Sequence, residues 1–278
     1  MTINKAVVTL AHPRQKTLPL QQFINGEGKS TTALHVLLDE AVGAGVESVL
    51  LVTCPGQEEA YRMAAGEHAE RLTFVEQTEP RGYGDALLQA RSFVDGDPFL
   101  HMVGDHLALS ESEQRCSRQI ISLARQEKCA VCGVQSTPES LLPYYGVVGG
   151  KLADQRKGIY LVEQVREKPS PTEAEQILTV PGLRAGYYLC FFGMHVFPPS
   201  LMEYLERSRE NGGHPSLTRA LGELAAKERF LALELTGRRF DVGVPYGFFL
   251  AQMAFALRGP DRDKVMAQVI ELLALSRS

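Results

Sequence analysis

Four apolar runs rich in β-branched residues, Lys5–Ala11, Ser48–Thr53, Leu72–Val75 and Pro98–Asp105, are set along the N-terminal part of the chain with amphipathic stretches between them. From Thr32 to Ala44 the residues Leu34, Leu37, Leu38, Ala41 and Val42 recur at the spacing of one helical face, and Gly43 and Gly45 close that helix. Further helices are predicted from Gln57 to Ala69, with Tyr61, Ala64, Ala65 and His68 on one side, and from Ala86 to Phe93. Strands and helices alternating through short connections imply parallel pairing by right-handed crossovers. The runs are apolar throughout, as strands covered by helices on both faces must be. The chain is therefore α/β and opens as a doubly wound sheet.

Such a sheet binds ligands beyond the carboxyl ends of its strands, so the residues that close each run are the candidates for chemistry. The run PFLHMVGD ends in Asp105, which reads either as a cap or turn residue or as a carboxylate placed to hold a metal. After Leu72–Val75 come Gln77 and a loop with Pro80, Gly82 and Gly84. Such a backbone can approach a flat ligand while the Gln77 amide offers one donor and one acceptor; the plainer reading is a tight loop with Asp85 capping the next helix. Between Ala11 and Pro19 there is no glycine, so His12, Arg14 and Lys16 supply charge for a phosphate without close backbone approach. Gly26–Thr31 has the Gly-Lys-Ser of a phosphate-binding loop, but Phe23 stands where the full pattern needs glycine, and the segment reads as a polar loop.

Beyond Asp105 a helix over Glu111–Glu127 and a strand over Ala130–Gln135 continue the sheet. Pro143–Gly149 and Ile159–Pro169 alternate like antiparallel strands around a polar turn at Asp154–Gly158, and Pro169 should hold Glu167-Lys168 extended. Ala185–Met194 reads as a central strand, followed by helices over Pro199–Arg209 and Leu217–Lys227 and a short strand over Phe230–Leu235. Asp241 then falls in a turn before a helix over Tyr246–Leu257. A last helix, Asp261–Leu275, carries Val265, Val269, Leu272 and Leu273 on a face suited to docking on the body or on a second copy of the chain, making a homo-oligomer.

A formal net charge of -4 gives no basic footprint, which argues against nucleic acid and membrane partners. Cys129 and Cys132 mimic a CxxC, but an odd separation within a strand sends the two thiols to opposite faces, so they read as core residues. With no leader pattern and no apolar run of membrane-spanning length, a cytoplasmic location is expected. No internal repeat or linker divides the chain, so a single domain is expected.

Taken in order, the runs KAVVTLA, LLDEAVGAGVESVLLVT (37–53), EQTEPRGYGDALLQAR (76–91), PFLHMVGDH (98–106), YYGVVGG (144–150), VREKP (165–169), GG followed by SLTRAL (212–221) and RRFDVGVPYGFFLAQMAFAL (238–257) span nearly the whole chain. Their order resembles the sugar-phosphate nucleotidyltransferases, among them the bacterial UTP:glucose-1-phosphate uridylyltransferases. The resemblance implies a Rossmann-like mixed, mostly parallel sheet flanked by helices, with a small antiparallel sugar-binding insertion. It divides the chain into a nucleotide-binding half (1–135), a sugar-binding half (136–245) and C-terminal helices (246–278). It implies that Gln77 and Gly82 contact a pyrimidine base, that the Gly146 backbone and the Glu167 carboxylate bind the sugar, and that Lys168 binds the sugar phosphate. Asp105 and Asp241 match the Mg²⁺ ligands, and Lys16 takes the place of the arginine that meets the departing pyrophosphate.

The chain also departs from the family's pattern. The opening G-x-G-T-R is replaced by His12-Pro13-Arg14-Gln15-Lys16, and the Pro-Lys pair that follows has no counterpart between Leu20 and Thr32. Asp85 replaces a histidine, and His214 and Arg219 stand where acidic residues are usual. Two functions are therefore open at this stage: transfer of a nucleotidyl group from UTP to a sugar 1-phosphate, with Mg²⁺, or binding of a sugar nucleotide without catalysis.

Overall fold

The structure, a computed structural model, describes residues 1–13, 16–79, 81–209 and 213–275. Arg14, Gln15, Pro80 and Gly212, which carry parts of the motifs above, lie outside the described residues. The chain runs through β1 (Lys5–Leu10), a hairpin of β2 (Gln22–Ile24) and β3 (Ser30–Thr32), α1 (Ala33–Val42), β4 (Ser48–Thr53), α2 (Glu58–Ala64), β5 (Leu72–Glu76), α3 (Tyr83–Leu88), α4 (Arg91–Val94) and β6 (Phe99–Val103). It continues through β7 (His106–Ser110), α5 (Cys116–Glu127), β8 (Ala130–Pro138), β9 (Gly146–Leu152), β10 (Ile159–Glu167), α6 (Pro171–Ile177) and β11 (Tyr187–Phe197). The remaining elements are α7 (Leu201–Arg207), α8 (Leu217–Lys227), β12 (Phe230–Glu234), β13 (Gly237–Asp241), α9 (Gly247–Ala256) and α10 (Arg262–Leu275).

The main sheet has the order β5-β4-β1-β6-β11-β8-β12-β10-β9. Its first four strands are parallel, as the alternation predicts. Antiparallel pairing goes beyond an insertion, because β11 runs antiparallel between β6 and β8, while β12 lies parallel to β8. β9 pairs with both β10 and β11, so the second half of the sheet closes on itself. Adjacent residues of β1 enter opposite layers: Val8 packs with Leu34, Leu38 and Ile120, and Val7 with Leu87, Phe99 and Leu205. This two-sided burial is what a continuous apolar strand requires.

Several elements differ from expectation, each for a local reason. Gly26–Thr31 is no open loop but the turn and second strand of the β2–β3 hairpin, where the Asn25 carboxamide oxygen accepts from the Glu27 and Lys29 N–H groups. The helix expected over Ala86–Phe93 starts earlier, at Tyr83, after Gly82 turns the chain at φ 97°, and is split into α3 and α4. Residues after Asp105 form β7 before α5 begins at Cys116, and Asp241 ends a strand paired with β7. The sequence offered no strand periodicity at either place. Lys168 is not extended: its φ is 47°, and its N–H donates to the Tyr145 carbonyl at 3.1 Å, a tertiary tie that overrides the pre-proline preference. α10 does not dock on the body with its predicted face, since Val265 and Val269 are only half-buried and Leu272 and Leu273 are exposed.

Candidate active site

The carboxyl ends of β1 and β6 open into a cleft of about 880 Å³. It is lined by Gln77, Gly82, Asp105, Gly146, Glu167, Lys168 and Asp241, gathered from both halves of the chain. Lys16 is exposed and does not line it; its carbonyl accepts from the Tyr61 hydroxyl at 2.8 Å, while His12 and Pro13 of the same loop do reach the wall. His214 and Arg219 are exposed and also stand outside the wall.

The two aspartates are joined by backbone. β7 turns back from β6 and pairs with β13 so that Asp241 faces His106, and the Val242 N–H donates to the Asp105 carbonyl at 2.8 Å. Asp105, His106 and Asp241 each bring one ligand atom to a cluster whose members lie within 4.8 Å of one another. His106 Nδ1 is 2.8 Å from Asp105 Oδ1, and Asp241 accepts from the Gly243 N–H at 2.9 Å. Burial pushes the Asp241 carboxyl above its ordinary range; His106 opposes this, and the neighbouring Asp105 charge adds to it. Two converging carboxylates, one of them raised by burial, form a hard-oxygen donor set that fits a divalent cation.

On the opposite wall Gly146 faces Glu167 in the β9–β10 register. A Cβ at position 146 would stand 2.7 Å from the Phe191 ring and 2.8 Å from Glu167 Oε2, so only glycine admits both neighbours. Partial desolvation by the surrounding wall raises the pKa of Glu167, although about half of its side chain (54 %) remains open to solvent, and Lys168, 4.0 Å away, works against that shift. Behind this wall the buried Arg239 guanidinium lies 3.6 Å from the centroid of the Tyr145 ring and donates to the Phe191 carbonyl, fixing two cleft-lining aromatics.

Gln77 is buried just beyond the carboxyl end of β5. Its Nε2 donates to Asp85 Oδ2 at 2.8 Å and to the Gly82 carbonyl at 3.2 Å. Asp85 is thus neither an N-cap nor a spectator, because it fixes which way the amide points. Beneath the cleft Tyr83 OH contacts His101 Nε2 at 2.9 Å, and His101 Nδ1 contacts His195 Nδ1 at 3.4 Å. Burial lowers the His101 pKa to about 3 and lowers that of His195 as well, so both rings are neutral at physiological pH. His106, Tyr83, Tyr145, Arg239 and the His101–His195 pair were missed from the sequence. Only His106, next to Asp105, had a signal that would have found it.

The profile of the nucleotidyl transferase family matches residues 13–257. UTP–glucose-1-phosphate uridylyltransferase 2 of Streptococcus pyogenes serotype M3 is 27% identical over 301 aligned residues, covering 97% of this chain and 96% of that protein. The UTP–glucose-1-phosphate uridylyltransferase of Streptococcus pneumoniae serotype 4 is similar at 27% identity over 97% of this chain and 96% of that one. Among solved structures, a UDP-glucose pyrophosphorylase complexed with UDP-glucose superposes with a TM-score of 0.74 at 20% identity, covering 91% of this chain and 98% of that chain. UDP-glucose pyrophosphorylase from Acinetobacter baumannii gives 0.74 at 24% identity, covering 98% and 100%. The structural likeness speaks for the fold. No helix among the described residues is long and apolar enough to cross a membrane.

Proposed function

The chain belongs to the nucleotidyl transferase family, and on that footing we propose that it joins UTP to glucose 1-phosphate, giving UDP-glucose and pyrophosphate. The observation that carries this reading is the single cleft that gathers Gln77, Asp105, Gly146, Glu167, Lys168 and Asp241. A phosphate oxygen of the sugar phosphate attacks the α-phosphorus of UTP, a P–O bond forms, and the bond to the β-phosphate oxygen breaks as pyrophosphate leaves. The attacking phosphate is already ionised, so the site needs no general base; its work is alignment and neutralisation of charge.

Gln77, with its amide oriented by Asp85 and Gly82, reads the pyrimidine edge. Glu167 accepts hydrogen bonds from sugar hydroxyls beside the Gly146 backbone, and Lys168 holds the sugar phosphate. Lys168 is the one lysine or arginine on the cleft wall among the described residues, which gives it the principal positioning role, with Lys16, which lies off that wall, secondary to it. Asp105 and Asp241 would hold Mg²⁺, which when bound supplies neutralisation of the triphosphate charge. We place this chemistry in the cytoplasm, in keeping with five cysteines that are all buried and unbridged.

Pyrophosphate release from UTP plus glucose 1-phosphate, measured beside calorimetric binding of UDP-glucose, tests the reading. Turnover with both substrates supports it. Binding of UDP-glucose without turnover across a panel of nucleotides and sugar phosphates would select the non-catalytic function instead.

A further inference from the structure

Away from the cleft, a second group of side chains of metal-ligating type converges between α1 and the six-residue 3₁₀ helix at Gly66–Arg71 that precedes β5. His35 and Asp39 lie one helical turn apart on α1, and Glu67 and His68 come from the 3₁₀ turn. One ligand atom from each of the four lies within 4.8 Å of all the others. Asp39 Oδ1 is 2.7 Å from His68 Nε2, and Asp39 Oδ2 is 3.4 Å from His35 Nδ1. The two imidazoles are tilted at 43° to one another with centroids 4.9 Å apart.

We propose that His35, Asp39, Glu67 and His68 form a binding site for a Zn²⁺-type divalent cation that clamps α1 to the turn before β5.

A carboxylate bridging two histidines accounts for part of this arrangement without any ion. It leaves His35 Nδ1 without a hydrogen bond, since that atom is buried and the Asp39 carboxylate stands off from it at 3.4 Å. An unsatisfied ring nitrogen aimed into a pocket of carboxylates is what a metal ligand looks like before the metal arrives. Tetrahedral zinc, with bonds of about 2.0–2.1 Å, needs donor separations of about 3.4 Å. Asp39 already meets this spacing with His35, its 2.7 Å hydrogen bond to His68 would have to open as the ion enters, and the exposed Glu67 can close the remainder by side-chain rotation. Two imidazoles with two carboxylates suit Zn²⁺ rather than Mg²⁺ or Ca²⁺, which prefer oxygen alone, and the two acidic groups balance its charge.

The surrounding structure already holds the ligands in place. The Thr32 hydroxyl accepts from the His35 N–H at 3.1 Å and donates to the Ala64 carbonyl at 2.6 Å, joining the start of α1 to the end of α2. Gly66 has φ 57° and no side chain, and a Cβ there would come within 3.2 Å of His35 Cδ2. The imidazole therefore seats against bare backbone. None of the four ligands lines the substrate cleft, so the clamp bears on the placement of β5 and hence on the approach to Gln77, without touching substrate.

The test uses the full-length protein after chelator treatment, titrated with Zn²⁺ in a calorimeter and with Co²⁺ while visible absorption is recorded. The expected result is one tight Zn²⁺ equivalent, an intense tetrahedral Co²⁺ spectrum and a Zn²⁺-dependent rise in Tm. All three should persist in an Asp105→Asn/Asp241→Asn double variant and disappear in His35→Gln and in His68→Gln. Should either histidine variant fail to fold by circular dichroism, Glu67→Gln on the exposed turn must weaken Zn²⁺ binding instead. No saturable Zn²⁺ binding, or binding lost in the Asp105→Asn/Asp241→Asn variant and retained in the histidine variants, would overturn the proposal.

Discussion

Asp241 meets Asp105 through the main chain: the Val242 N–H donates to the Asp105 carbonyl at 2.8 Å, and Asp241 sits across from His106 in the β7–β13 pair. The carboxylates are therefore positioned by a two-stranded ladder that does not depend on their charge. Two like charges brought together at partial burial cost stability, a cost that a cation bound between them would offset.

Gly146 opposite Glu167 sets the shape of the wall proposed to bind the sugar. Gly146→Ala should displace either Phe191 or Glu167, because the added methyl overlaps both. The expected outcome is a loss of about 1–3 kcal/mol in stability from overpacking. KM for glucose 1-phosphate should rise while KM for UTP changes little. Steady-state kinetics with each substrate varied in turn check this, and equal changes in both KM values would contradict it.

Asp85 accepts from Gln77 Nε2 and, as a carboxylate, can do nothing else, so Gln77 Oε1 is left to accept from a base. Uracil carries an N3–H that suits this oxygen, whereas cytosine presents a lone pair there. Asp85→Asn frees the amide to turn over. Discrimination of UTP over CTP should then fall by about tenfold or more in kcat/KM. Competition between the two nucleotides measures it directly.

Lys168 lines the cleft and Lys16 does not. Lys168→Ala should reduce kcat/KM for the sugar phosphate by roughly 10²–10³-fold, the scale of losing one charge contact to the reacting phosphate once substrate covers the site. Lys16→Ala should cost less than about tenfold by the same reasoning. Parallel assays of the two variants decide the order, and a larger loss at Lys16 would move the principal cation to the 11–19 loop.

The opening βαβ alternation, the Asp105 strand end and the Glu167-Lys168 pair were legible because each follows from periodicity or from a residue that closes an apolar run. β7 and β13 were not, since His106–Ser110 and Gly237–Asp241 lack a strand pattern and pair only with each other, far apart in the chain. The same gap hid Arg239, whose role under Tyr145 depends on that pairing. The family resemblance supplied the residues of the cleft. The Gln77–Asp85 bond and the position of Lys16 needed the three-dimensional arrangement.

His101 is fully buried, and desolvation holds its pKa at about 3, well below that of an unfolded histidine. The unfolded chain therefore binds a proton that the native chain refuses, and stability falls as pH drops below about 6.5 until the native group itself titrates. Between about pH 7 and about pH 5 this group alone should remove about 2 kcal/mol, with His195 acting in the same direction. Urea unfolding at the two pH values should show a smaller difference for His101→Gln than for the parent. An unchanged difference would mean that this ring is not held neutral.

The central claim is that this cleft transfers a uridylyl group with Asp105 and Asp241 at its heart. The most direct measurement is the initial rate of UDP-glucose formation from UTP and glucose 1-phosphate with Mg²⁺, for the parent protein and for Asp105→Ala, each checked for folding by circular dichroism. The account predicts measurable turnover by the parent and a folded variant slower by at least about 10²-fold. A folded Asp105→Ala protein that makes UDP-glucose at the parent rate would contradict it.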